Sequence, residues 1–150
     1  MAWPSGNFKE AAPLGAYRVN KTITFDGGVG SGGVGTVALF TVTGAVFVRM
    51  LGHCTTSLTE GGATATIAIG VTGLTTVVMA QINAVDLDIG EIWGNAAPAD
   101  AIALAAWTGQ VIGGGEDIFL TVGTDTVETG VVEFACFWTP ISGDGLVVAA

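Results

Sequence analysis

With 150 residues, the chain is long enough for one domain with its own core, but only 11% of it is charged, against about 25% in an ordinary soluble domain. The formal charge of −9 is unevenly spread: Lys9, Arg18, Lys21 and Arg49 all lie in the first 49 positions beside only Glu10 and Asp26, while residues 50–150 hold eleven acids and neither Lys nor Arg. Such a body lacks the cations that neutralise phosphates, which excludes nucleic acid as a partner; so few charges leave apolar surface to be covered by neighbouring chains.

Residues 1–20 contain Pro4, Gly6, Pro13 and Gly15 and no sustained periodicity, which predicts an extended N-terminal arm. The opening MAWPSGNFKEAAPLGA lacks the basic start and apolar run of a signal peptide, so the expectation is a soluble protein made in the cytosol.

Next comes a strand-like KTITF and then FDGGVGSGGVGT (25–36), whose glycines fit G-x-G-x-x-G twice, from Gly28 and from Gly30. A dinucleotide cradle needs a helix after the glycines and an acid about 20 positions on. Here the β-branched TVALFTVTGAVFV follows, and the next acid is Glu60. A Walker A loop needs G-K-[ST], which neither Lys9 nor Lys21 supplies. The segment is predicted to be a loop between strands.

Period-two alternation then dominates. Residues 37–43 and 45–52 flank Gly44 as two strands or one bent one, with Val46, Val48, Met50 and Cys54 of one parity. Residues 64–71 and 74–81 flank Thr72-Gly73, a hairpin turn. The uncharged stretch from Gly61 to Val85 is too diluted by Thr, Gln, Asn and Gly to cross a membrane as a helix. In DLDIGE the acids Asp86, Asp88 and Glu91 miss the EF-hand spacing and read as a solvated loop. PADAIALAAW (98–107) suits a short helix or a covering loop. Residues 117–123 and 131–139 are strands around TDTVETG, with Val132, Phe134, Cys136 and Trp138 on one face and Glu133 on the other. The fold class is all-β: an antiparallel β-sandwich or jelly-roll-like barrel over 21–143, an arm at 1–20 and an apolar C-terminal tail at 144–150.

No constellation for catalysis, a metal or a cofactor emerges. His53 is the only histidine, and it points away from Cys54 on a strand. Both Cys54 and Cys136 share parity with large apolar residues and read as buried, inert thiols, with no disulfide expected. Glu116 and Asp117 diverge as strand neighbours. Trp138 fits a core face, whereas Trp3, Trp93 and Trp107 are candidates for a sugar-stacking platform.

The stretches VTGAVFVRMLGHC, LDIGEIW and EDIFLTVGTDTVETGVVEFACFWTPIS are similar to small β-rich proteins of tailed-bacteriophage virions, a resemblance that covers roughly residues 20–143 and contains no catalytic signature. It implies a non-enzymatic structural protein, resembling a capsid decoration (cement) protein: a homotrimer bound to the major capsid protein on the capsid surface of the virion, present in the host cytoplasm during assembly. No cofactor, nucleic acid or membrane is implied. The partner-binding candidates are Trp3, Phe8, Lys9, Tyr17 and Arg18 in the arm and Leu146, Val147 and Val148 in the tail. The alternative is a tail-fibre or receptor-binding module that recognises carbohydrate through Trp93 and Trp107 exposed near Asp86, Asp88 or Glu91.

Overall fold

Alternating apolar and polar residues make strands with one buried face. The computed structural model describes residues 17–95, 97–99 and 108–150, and in these it has ten: β1 (Tyr17–Thr24), β2 (Gly35–Thr43), β3 (Val46–Glu60), β4 (Thr66–Val71), β5 (Leu74–Asn83), β6 (Ile92–Trp93), β7 (Gln110–Ile112), β8 (Ile118–Gly123), β9 (Val127–Pro140) and β10 (Leu146–Ala149). One 3-10 turn, Ala84–Asp86, interrupts them. One sheet runs β1-β9-β3-β6, with β7 also on β3, and the other runs β10-β2-β8-β4-β5. Every strand pairing is antiparallel. The two sheets stay separate, so of the two architectures the sequence allows, the sandwich is the one formed.

The core lies between the sheets. β9 contributes Val132, Phe134, Cys136 and Trp138, and β3 contributes Val46, Val48, Met50 and Cys54, the same faces that the alternation predicts. From the opposite sheet come Val37, Leu39, Phe40, Val42, Ile67, Ile69, Ile118 and Leu120. Leu39 and Phe40 are neighbours, yet both are fully buried. A register shift between Ala38 and Phe40 turns consecutive side chains inward, as a bulge does. Burying each large side chain contributes about 1.5–3 kcal/mol, and among the described residues no polar or charged side chain shares the core.

The segments around Gly44 are two strands in different sheets, and the chain crosses between layers at Gly44-Ala45. The Ala45 amide donates to Ser142 Oγ at 2.8 Å there. The Thr72-Gly73 hairpin forms as expected, with Gly73 at φ 79°. β3 runs on to Glu60, beyond the predicted end at 52, through register shifts that break its alternation after Cys54.

Residues 25–34 form a loop between β1 and β2, as the missing helix requires, and the last two residues of the predicted loop, Gly35 and Thr36, already pair in β2. Asp26 Oδ1 accepts from the Gly28 amide at 2.9 Å and from Ser31 Oγ. The Val127 carbonyl accepts from the Gly27 amide, and the Val127 amide donates to the Gly32 carbonyl. Gly32, at φ 142°, has no room for a side chain, because a Cβ would lie 2.2 Å from the Val127 oxygen. These loop amides are spent on the protein itself.

Two boundaries differ from expectation. Residues 17–20 are not arm but the first half of β1, paired from Tyr17↔Trp138 to Asn20↔Ala135. Tyr17 and Val19 pack against the core while Arg18 and Asn20 face out, and the Tyr17 and Trp138 ring centroids are 4.8 Å apart. The C-terminal segment is no loose tail either: Leu146–Ala149 pairs with Phe40–Thr43 of the same chain, because Val147 fits the core beside β2. Residues 1–16 lie outside the described residues, and so do residues 100–107 of the helix or covering loop expected at 98–107; Ala99 bridges to Ile92.

Candidate interaction surface at the β1 and β10 edges

β1 ends one sheet and β10 ends the other. Both edges lie on the same side of the sandwich and frame a groove of about 260 Å³. Tyr17, Arg18, Val19 and Trp138 line it from one sheet, and Leu146 to Ala149 from the other. Leu146 and Val148 are exposed, while Val147 turns into the core. Lys21 shares its parity with Tyr17, Val19 and Ile23 and so faces the gap, where its Nζ donates to the main-chain oxygen of Ala150.

The groove therefore unites five of the eight predicted partner-binding residues: Tyr17, Arg18, Leu146, Val147 and Val148. Trp3, Phe8 and Lys9 lie outside the described residues. Sequence reasoning missed Val19, Trp138 and Ala149 as part of this surface. The signal was the continuation of the KTITF alternation back to Tyr17.

The residues weighed for chemistry are held apart. His53 is exposed and Cys54 buried on adjacent positions of β3. The Cys54 thiol donates to the Thr56 carbonyl at 3.1 Å, and burial raises its pKa. Burial pushes Cys136 up to about 12. In register Cys136 faces Met50 while Cys54 faces Val132, so the two thiols sit four residues apart along neighbouring strands and remain free. Asp117 Oδ1 accepts from the Val42 amide at 2.9 Å, which closes the end of the β2–β8 ladder. In the acidic loop Glu91 Oε2 accepts from the Asp88 amide at 2.8 Å. Among the described residues no three His, Cys, Asp or Glu side chains gather as a metal site.

The sugar platform needs correction. Trp93 is fully buried in the two-residue β6, edge-on to Phe134 with ring centroids 6.3 Å apart. A ring in the core offers no face to a sugar. Trp107 lies outside the described residues.

Comparison with known protein families, curated proteins and solved structures finds no match.

Proposed function

We propose that the chain is a non-enzymatic structural virion protein, a capsid decoration protein that associates with itself as a homotrimer and binds the major capsid protein on the phage head. The observation that carries this reading is the pair of open sheet edges flanking one apolar groove. An edge strand is a template for another chain, which gains main-chain hydrogen bonds along it and seats alternate side chains in the flanking pockets. β1 offers eight residues of such an edge, and Tyr17, Leu146 and Val148 supply the apolar contacts. Low charge and an acidic body fit a subunit that shares much surface with neighbours yet stays soluble beforehand.

The test is light scattering on the purified chain together with immunogold labelling of virions from its source. Three chain masses in solution and label over the heads are expected. Label on tails would move the protein to a fibre, and a monomer absent from virions would refute the reading.

A further inference from the structure

The sandwich has a second pair of sheet edges, on the far side from β1 and β10. There β5 ends one sheet, and β7 lies beyond β3 in the other. A groove of about 190 Å³ runs between them, and Leu74, Val77, Val111, Ile112 and Glu116 contribute to its lining. Leu74 and Val111 are exposed. Further along β5 the edge is closed, because Asn95 Nδ2 donates to the Val78 carbonyl at 3.1 Å. The open part of this edge is therefore the part beside the groove.

This groove and the one at the β1 and β10 edges are complementary. Each presents exposed aliphatic side chains, Leu74 and Val111 here and Leu146 and Val148 there. Among the described residues each lining holds one charged side chain, Arg18 in the first groove and Glu116 in the second. Both are exposed, and neither is engaged by another described side chain. Glu133, on the same outer face as Arg18, accepts instead from Asn20 Nδ2 at 3.1 Å. The grooves also lie at one height: Tyr17 pairs with Trp138, Trp138 with Val48, and Val48 with Gln110, a single row that runs from the first lining to the second.

We propose that the β5/β7 groove receives the β1/β10 edge of a second copy of this chain, with Glu116 of one copy facing Arg18 of the other. The inference rests on the self-association in the reading above and names the two faces that carry it. A ring of three needs two unlike faces on every subunit, because each copy meets one neighbour with one patch and the next with another. The charges select this pairing, since either groove meeting itself would set Arg18 against Arg18 or Glu116 against Glu116. Because the grooves share one height, the contact needs no shift along the strands, and a head-to-tail contact without such a shift closes instead of climbing into a filament.

Cross-linking of the full-length chain with a short bismaleimide tests this, using L146C and L74C at exposed positions; the native cysteines are buried. Co-expressed, the two variants are expected to give a covalent dimer that neither gives alone. Dimers from L146C alone would set the first edge against itself and overturn the pairing. Light scattering then reads the charges: R18E and E116R are each expected to weaken association about tenfold, and R18E/E116R to restore it. Association unchanged by both single reversals would overturn this interface and leave the assembly reading standing, as would a trimer that yields no mixed dimer. A wild type monomeric at every concentration would overturn both. If a charge variant fails to fold, the cross-linking decides.

Discussion

Lys21 Nζ donates a hydrogen bond to the main-chain oxygen of Ala150, and so ties the open edge of one sheet to the open edge of the other. The Ala150 amide holds the same end of β10, donating to the Leu39 carbonyl at 3.0 Å.

Lys21→Met keeps the stem and removes the donor. The bond is exposed, so a loss of at most about 1 kcal/mol is expected in urea unfolding. The effect should concentrate on β10, whose amides would exchange with solvent about fivefold faster than in the wild type. Unchanged β10 protection would mean that the lysine does not hold the two edges together.

Acid should loosen the loop end of the sandwich. The Asp26 carboxyl is held below its ordinary 3.8, first by Ser31 and then by the Gly28 amide. Asp125 is lowered by the Ala63 and Thr126 amides. A folded-state pKa below the unfolded one gives stability that is complete well above pH 4 and is lost as pH falls through the folded value. The thermal midpoint of the wild type should therefore drop below about pH 4. D26N/D125N should melt lower at pH 7 and show a shallower acid slope. Identical slopes would remove these two carboxylates from the account.

The periodicity that made the core faces legible says nothing about which sheet a strand joins. Val132, Phe134, Cys136 and Trp138 announce a buried face because every second residue is large and apolar. On the same criterion β2 and β3 read equally as two strands or one bent one, and they part into different sheets at Gly44 because long-range pairing with β8 and β9 decides their layers. The groove was legible only in halves. Tyr17 and Arg18 lie 128 to 131 residues before Leu146 and Val148 in the chain. Only the placing of β1 beside β9 and β10 beside β2 makes them neighbours. Trp93 was illegible because a two-residue strand shows no period.

The β4–β5 hairpin allows a paired test of close packing. A Cβ on Gly70 would lie 2.0 Å from the Leu74 oxygen and 2.5 Å from the Thr75 carbonyl carbon, both backbone atoms. At Gly73 nothing lies within 4 Å, and only the φ of 79° resists a side chain. Gly73→Ala is expected to cost about 1–2 kcal/mol. Gly70→Ala should cost about 3 kcal/mol, because the turn backbone itself must move. Urea midpoints measure both, and equal losses would contradict the tight approach of the two strands.

The two cysteines should be silent in the folded protein and unequal when they do react. With a pKa pushed up to about 12 by burial, Cys136 carries a thiolate in only about one molecule in ten thousand at pH 8, and the thiolate is the nucleophile. Cys54 is also raised and buried, but it lies where β3 loses its regular register. Local opening there costs less than opening the centre of the β3–β9 ladder. Iodoacetamide at pH 8 should therefore label neither thiol within minutes in the native state, then Cys54 ahead of Cys136 over hours, and both at once in urea. Peptide mass mapping reads the order. Labelling of both within seconds without denaturant would show that the face formed by Met50, Val132, Phe134 and Cys136 is open to solvent, and the packing between the sheets would have to be redrawn.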